Sequence, residues 1–148
     1  ACVNFGAPVS MRAWCAQHQL RFKDLPEADR KHEVTRVAEH LMQRIGAVIP
    51  VLPVSLVAAM FAHAPGRQWS ELELKAAMHQ HMAGLQARGA HAYLPRQDQD
   101  YAFGVGLRML VLRRAVAEDA EGLFAVVPGQ EALVAYYANA IAHLAPVC

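Results

Sequence analysis

The side chains best suited to general-base catalysis or metal binding in this chain are its eight histidines. His79 and His81 form the densest pair. Residues two apart on a helix point to different faces, so these two imidazoles are not placed to chelate one ion together. No second group of cysteines and histidines has the spacing that would complete a zinc site. The pattern therefore predicts no metal site, and we interpret the histidines as exposed or half-buried side chains.

Candidate nucleophiles and phosphate loops are equally poorly supported. Ser55 lacks the flanking glycines of a nucleophile elbow. Cys15 has His18 three positions further on, where a helix would bring them together, but nothing orients the imidazole. Gly104-Val105-Gly106 lacks the preceding strand that a phosphate-binding glycine loop requires. We predict no catalytic, cofactor-binding or metal-binding residue in this chain.

The composition indicates a folded globular chain. It has 148 residues, the size of one domain or of a piece of a larger protein. Its apolar content of 55% argues against disorder, and its net charge of +1 provides no basic tail for nucleic acid. The three cysteines lack metal spacing and are odd in number, so we predict free thiols at Cys2, Cys15 and Cys148.

The first third of the chain is predicted to form one short strand and two helices. Val3 to Gly6 alternates like a strand, and Ser10 is suited to cap a helix that ends between Gln17 and Leu20. A longer helix is predicted from Glu27 to Ile45. Its apolar residues recur every 3.6 positions and should face the core: Val34, Val37, Ala38, Leu41, Met42 and Ile45. A lone strand needs a sheet, so the strand, together with the opening at Ala1, predicts a piece of a longer polypeptide.

One apolar segment raises the question of membrane contact. Ala47 to Ala64 contains no Lys, Arg, Asp or Glu, but it is shorter than the ~20 apolar residues that a spanning helix needs. Pro50 and Pro53 interrupt it. We interpret it as a buried extended segment followed by a core helix. The alternative is an interfacial element that touches lipid or an acyl chain.

The remainder is predicted to be helical with one hairpin. Ser70 and Glu73 form a capping box for a helix that ends at Gly89. A loop from Gly89 to Asp100 is followed by helices over 100–114 and 130–144, with a hairpin over 116–127 between them. The fold class is mainly α with minor β: a helical bundle-like domain with a short N-terminal strand and one β-hairpin. Two domains are predicted, 1–46 and 47–148.

The order helix, helix, hairpin from Ser70 to Val127 is also that of a winged helix. In a DNA-binding version, basic residues should line the second helix and the wing. The wing holds Glu118, Asp119 and Glu121, which Arg108, Arg113 and Arg114 on the preceding helix only partly offset. A winged-helix-like binding module used for protein docking, or less favourably for DNA, is therefore the alternative function.

Three segments resemble bacterial glycerol-3-phosphate acyltransferases. Tyr136 to Leu144 reads YYANAIAHL and resembles the family's Tyr-Tyr-x-Asn-x-Ile-x-His-Leu segment. Pro50 to Ala58 reads PVLPVSLVA and resembles its Leu-Pro-Val-Ser-Leu-Val-Ala run. Val3 to Ser10 is similar to the Phe-Gly-x-Pro strand end that closes the family's acyltransferase domain. The three segments occur in the family's order, so residues 1–46 are expected to end that domain.

The resemblance implies a parent enzyme that transfers a fatty acyl group from an acyl thioester to the 1-hydroxyl of glycerol 3-phosphate. The donor would be acyl-CoA or acyl carrier protein, and the reaction begins phospholipid biosynthesis at the cytoplasmic face of the bacterial inner membrane. The implied partners are the upstream catalytic domain of the same polypeptide and a membrane surface, without a cofactor, a metal or nucleic acid. This fragment itself is expected to be soluble.

The family's catalytic motif is His-x4-Asp, in which the histidine is the general base and the aspartate orients it. None of the eight histidines has an aspartate five positions later. The chain is therefore predicted to be the non-catalytic C-terminal part of the enzyme and inactive alone. Asn139 and His143, at i and i+4 of the last helix, either contact the neighbouring domain or touch substrate, and neither is assigned as catalytic.

Overall fold

The computed structural model describes residues 3–93 and 98–144. In this part of the chain, six helices and a three-stranded antiparallel sheet form a mainly α architecture with minor β, as the sequence predicts. The chain divides into two compact units, Ala1–Ile49 (unit 1) and Pro50–Cys148 (unit 2). Cys15 is a free thiol, whereas Cys2 and Cys148 lie outside the described residues.

The described residues of unit 1 form two α-helices and a short 3-10 helix, Phe22–Asp24. Helix α1 (Met11–Gln17) begins as predicted at Ser10, whose Oγ accepts a hydrogen bond from the backbone N–H of Ala13. Helix α2 (Glu27–Gly46) also matches its prediction closely. The buried Glu33 of α2 is paired within the helix, because one of its carboxylate oxygens accepts a 2.7 Å hydrogen bond from Arg36 one turn later.

The predicted N-terminal strand is wrong. Residues Val3–Gly6 adopt no regular structure, and the side chain of Asn4 donates a 2.9 Å hydrogen bond to the carbonyl of Val48. A strand requires a neighbouring strand for its backbone hydrogen bonds. The described residues of unit 1 contain no strand with which Val3–Gly6 could pair. An alternating sequence is therefore not sufficient to form a strand here.

The predicted inward face of α2 is mostly uncovered. Val37 is buried, but Val34, Met42 and Ile45 are more than half exposed. Leu41 and Ala38 on the same face are exposed too. The prediction of an apolar stripe at helical spacing is thus right, whereas the prediction that all six residues face a core is wrong, because only Val37 is buried.

Unit 2 is built around helix α3 (Pro53–His63). Every residue from Val54 to Phe61 is buried, and α3 packs against the three other helices of the unit. Pro53 occupies the start of the helix, where its missing N–H is tolerated. The buried interpretation of Ala47–Ala64 is confirmed for Val51 and for Val54 to Phe61, whose burial leaves no surface for lipid. It is wrong for Ile49 and Leu52, which are exposed. Within the described ranges, no helix combines the length and apolarity needed to cross a bilayer.

The rest of unit 2 has winged-helix order. Strand β1 (Trp69–Ser70) leads into helix α4 (Glu71–Ala87), and helix α5 (Gln99–Leu112) leads into the hairpin of β2 (Val116–Glu118) and β3 (Leu123–Val126). The sheet order is β1-β3-β2, with both pairs antiparallel. The hairpin is confirmed, but β1 was not predicted, because two residues carry no detectable alternation.

Helix α6 (Glu131–Asn139) is shorter than predicted. A 3-10 turn, Ala142–Leu144, follows it. Val134 of α6 and Ile141 after it are buried in the core of unit 2. Asn139 and His143 consequently do not share the face of one α-helix, and that prediction is wrong.

Candidate functional site

A pocket in unit 2, between α3, α4 and α6, brings together three side chains that can form hydrogen bonds. It has a volume of about 240 Å³. The three polar side chains, His63, His81 and Asn139, line it together with the small or apolar residues Ala59, Ala62, Ala138, Ala142 and Ile141. The small side chains of the alanines leave the space that the three polar residues line.

Local helix geometry positions each of these polar groups. His63 is the last residue of α3 and follows directly on the buried run of that helix. His81 precedes the buried Met82 on α4, and Asn139 is the last residue of α6. The sequence analysis missed this convergence, since the three residues come from segments far apart in the chain and no local pattern links them.

The two imidazoles of the pocket lie close to each other. Their ring centres lie 5.8 Å apart, at a tilt of 54°. Burial, followed by the neighbouring His63 and Arg88, lowers the pKa of His81 below its ordinary value of 6.5. This shift favours the neutral form of His81, in which one ring nitrogen donates a hydrogen bond and the other accepts one.

The pocket offers hydrogen-bonding groups but lacks the arrangement that acid–base catalysis needs. Two imidazoles and an amide supply donors and acceptors, but the residues that line the pocket include no carboxylate to orient a catalytic imidazole. Among residues 3–93 and 98–144, no group of three histidine, cysteine, aspartate or glutamate side chains is placed to hold a metal ion.

A histidine–aspartate pair does form elsewhere in unit 2, by tertiary contact. His79 Nε2 lies 2.8 Å from Asp100 Oδ1, and His79 Nδ1 lies 2.8 Å from Gln99 Oε1. Both ring nitrogens face oxygen atoms, so neither is free to take a proton from a substrate hydroxyl. His79 thus faces α5 while His81 faces His63, the divergence that their spacing predicts.

A larger cavity of about 550 Å³ lies between the α3–β1 loop, β3 and α6. Its wall is mainly apolar and includes Phe61, Val126 and Val134. At its rim, the guanidinium of Arg67 stacks 3.6 Å from the ring centre of Trp69. The cation–π contact fixes Arg67 against the protein surface.

The other sequence candidates have structural positions. His18 lies against the Trp14 ring at 4.2 Å. Ser55 is buried within α3. Ser70 caps α4 in the predicted capping box with Glu73, in which each residue bonds the backbone of the other. These three residues therefore have structural contacts: ring packing for His18, burial in the core for Ser55 and helix capping for Ser70.

Gly104 and Gly106 lie within α5 and form no loop. A Cβ at Gly106 would stand 2.7 Å from the backbone carbon and oxygen of Pro53, so this glycine permits α5 to approach α3. Gly104 is open to solvent, and a Cβ added there would meet nothing within 4 Å. Helix packing thus explains Gly106 but not Gly104.

The wing carries acidic residues, as the sequence indicates. Asp119 uses its carboxylate to accept backbone hydrogen bonds from Glu121 and Leu123, both at 2.9 Å, and so shapes the turn. Glu118 and Glu121 are exposed beside it. Three carboxylates on the wing oppose the approach of a phosphate backbone.

Comparison with known proteins identifies the family. The model of the glycerol-3-phosphate acyltransferase C-terminal region matches residues 1–145. Comparison with the curated proteins and with the solved structures gave no match. The family match spans residues of both units and includes all three segments whose resemblance was noted in the sequence. The chain belongs to the glycerol-3-phosphate acyltransferase C-terminal region family.

Proposed function

We propose that this chain is the non-catalytic C-terminal region of a glycerol-3-phosphate O-acyltransferase and that it packs on the catalytic part of the enzyme. The parent reaction is transfer of a fatty acyl group from acyl-CoA or acyl carrier protein to glycerol 3-phosphate, in phospholipid biosynthesis at the cytoplasmic face of the bacterial inner membrane. The family match over residues 1–145 supports this assignment. The region contributes no cofactor or metal, and the catalytic residues lie outside it.

The observation that carries the proposal is the uncovered apolar face of α2. We call it the α2 stripe: Val34 (56% exposed), Leu41 (39%), Met42 (65%) and Ile45 (53%). These residues recur at helical spacing over three turns. A continuous apolar stripe of this kind marks an interaction surface, because its exposure to water is unfavourable. The catalytic part of the parent is the partner that we assign to it.

The histidines support a non-catalytic role. The sequence has no His-x4-Asp motif. Where the fold does bring a histidine to an aspartate, at His79 and Asp100, both imidazole nitrogens are already engaged. A general base needs a free lone pair within hydrogen-bond reach of the hydroxyl that it deprotonates.

The test is a pair of substitutions in the intact acyltransferase that carries this region. Leu41→Asp with Ile45→Asp places two charges in the α2 stripe. Each buried aliphatic side chain contributes about 1.5–3 kcal/mol to a packed contact, so acylation of glycerol 3-phosphate should fall more than tenfold. Gln43→Asp, on the opposite exposed side of α2, is the matched control and should leave activity unchanged.

The readouts separate docking from folding. Since the stripe is exposed in this chain, the paired aspartates should change its own stability by less than about 0.5 kcal/mol per site, as measured by urea unfolding. Full acyltransferase activity in the paired variant would contradict the proposal. Equal loss in Gln43→Asp would show a general effect of charge on α2 and would also count against it.

A second candidate is a winged-helix protein-docking module. The elements α3, β1, α4, α5, β2 and β3 follow one another in the order of a winged helix. The sheet order β1-β3-β2 also favours this candidate. Nucleic acid is the less favoured partner, because the wing presents Glu118, Asp119 and Glu121. A mobility-shift titration with duplex DNA should show no shift at physiological salt. A shift that weakens steeply as salt rises would instead indicate phosphate contacts.

A further inference from the structure

Helices α4 and α5 end in the same backbone motif but with different residues at its strained position. In α4, Gly89 N–H bonds the carbonyl of Gln86 and Ala90 N–H bonds that of Leu85. In α5, the corresponding bonds run from Arg114 to Val111 and from Ala115 to Leu110. Gly89 has φ 82° and Arg114 has φ 57°. Both helices therefore close with a left-handed residue in a Schellman motif.

Arginine is an unfavourable residue at that position. A left-handed conformation places Cβ close to the following carbonyl oxygen, a clash that glycine avoids. Non-glycine residues that hold a strained backbone conformation cluster at functional sites, where the side chain has a role. Arg114 is exposed, and the structure shows no ion pair to it among the described residues.

The surroundings of Arg114 form a basic and apolar surface, which we call the α5 tip: Arg108, Met109, Leu112, Arg113 and Arg114. All five are exposed, and Leu112 is 73% exposed at the last position of α5. Among the described residues, none of the three arginines makes a salt bridge. Three guanidiniums without an ion pair among the described residues thus lie close in sequence to an exposed leucine.

An exposed aromatic residue extends the α5 tip onto α6. The guanidinium of Arg113 lies 5.7 Å from the ring centre of Tyr137, and that ring meets Tyr136 edge-on at 5.5 Å. Tyr136 is 70% exposed. Tyrosine, leucine and arginine side chains that protrude together are the composition of an interfacial membrane contact.

The shape and charge of the α5 tip favour one occupant. A second copy of the chain would bring six arginines together, which is electrostatically unfavourable. The cavities of about 240 and 550 Å³ described above are not lined by any residue of the tip, so neither of them offers a groove there for a peptide. A fluid anionic bilayer accepts protruding apolar side chains and attracts basic ones.

We propose that the α5 tip binds the surface of an anionic phospholipid bilayer, with Leu112 inserted among the headgroups and Arg108, Arg113 and Arg114 facing the lipid phosphates. The inference rests on the proposed function in one respect, since it names the surface by which the region contacts the membrane at which its parent acts. Its geometry, however, comes from unit 2 alone and does not use the α2 stripe.

The test is binding of the 148-residue chain to sedimented vesicles. One set contains phosphatidylcholine with about 30% phosphatidylglycerol, chosen to match a strongly anionic leaflet, and the other contains phosphatidylcholine alone. The wild type should bind the anionic vesicles and bind the neutral ones at least tenfold more weakly. Raising salt should weaken the anionic binding, because counterions screen the arginines.

Two variants and one matched control localise the contact. Arg108→Gln with Arg114→Gly should weaken binding about 25-fold, since each basic residue near an anionic surface contributes about fivefold. Leu112→Gln should weaken it about tenfold. Leu72→Gln is the control, because Leu72 is 79% exposed but lies between Glu71 and Glu73, and its binding should equal that of the wild type.

Several outcomes would overturn the proposal: equal binding to neutral vesicles, no vesicle binding, or equal losses in Leu72→Gln and Leu112→Gln. Binding of a synthetic acidic amphipathic peptide by the tip, without vesicle binding, would replace lipid by a protein partner. The vesicle assay needs no acyltransferase activity. Normal activity in the α2-stripe variant with intact vesicle binding would therefore remove the proposed function and leave this inference standing.

Discussion

His79 and Asp100 lie 21 positions apart in the chain, yet the imidazole Nε2 and the carboxylate Oδ1 approach to 2.8 Å and join α4 to the first turn of α5. The His79 ring also meets the edge of Phe103, with ring centres 4.9 Å apart. A search for a fixed histidine–aspartate spacing could not find this pair. Its geometry indicates a contact between helices, with no free nitrogen for catalysis.

We expect His79→Gln to have a small effect. The two side chains are 46% and 64% exposed, and ion pairs at such surfaces contribute less than about 1 kcal/mol. The free energy of unfolding should fall by no more than that in a urea titration, and acylation by the parent enzyme should be unchanged. A large loss of activity with normal stability would give His79 a catalytic role.

Gly106→Ala and Gly104→Ala should have opposite effects on stability. The new Cβ at position 106 would clash with the backbone of Pro53, and such overpacking costs about 1–3 kcal/mol. The Cβ at position 104 meets no atom within 4 Å, so alanine should stabilise α5 by about 0.5–1 kcal/mol. Urea unfolding of the two variants measures the difference, and equal effects would contradict the close approach of α5 to α3.

The stability of unit 2 should fall as the pH is lowered from about 7.5 to about 5.5. Burial lowers the pKa of His81 in the folded protein, with further contributions from His63 and Arg88. Below about pH 6.5, unfolded chains therefore bind more protons than folded ones, so protonation favours unfolding. Above that pH, the neutral imidazole retains its full contribution to stability.

His81→Leu removes this titration and should flatten the pH dependence measured by urea unfolding at a series of pH values. His91→Gln, on an exposed loop of the same unit, is the matched control and should preserve the slope of the wild type. A slope that is unchanged in His81→Leu would show that other groups cause the acid sensitivity.

Arg114→Gly should stabilise the protein, whereas Gly89→Ala should destabilise it, each by about 1 kcal/mol. Both positions close a helix with positive φ, so the sign of the change depends only on whether a Cβ is removed or added. Thermal unfolding of the two variants provides the comparison. If Arg114→Gly lowers the melting temperature, the arginine side chain makes a stabilising contact that outweighs its backbone strain.

Local signals in the sequence were sufficient for most helices and for the hairpin. The capping box of Ser70 and Glu73 determined the start of α4 because it involves residues three apart. The turn between β2 and β3 was found for the same reason, since Asp119 and Gly122 lie within it. The family resemblance rested on three short segments, and the family match over residues 1–145 confirms it.

Features that depend on distant residues were missed. Periodicity predicted the apolar stripe of α2 but carried no information about what covers it. The pairing of Trp69 with Phe124 joins residues that are far apart in the chain, so two residues of β1 gave no local sign of a strand. The pocket of His63, His81 and Asn139 required three helices to meet, an arrangement that only the tertiary structure supplies.

The entry to α3 limits how unit 2 can be shortened. Val51 is fully buried, and its backbone pairs with the chain after α4, accepting from Tyr93 N–H and donating to the carbonyl of His91. At the other end, Ile141 is buried beyond the last residue of α6. The smallest self-sufficient segment of this unit therefore begins no later than Val51 and ends no earlier than Ile141.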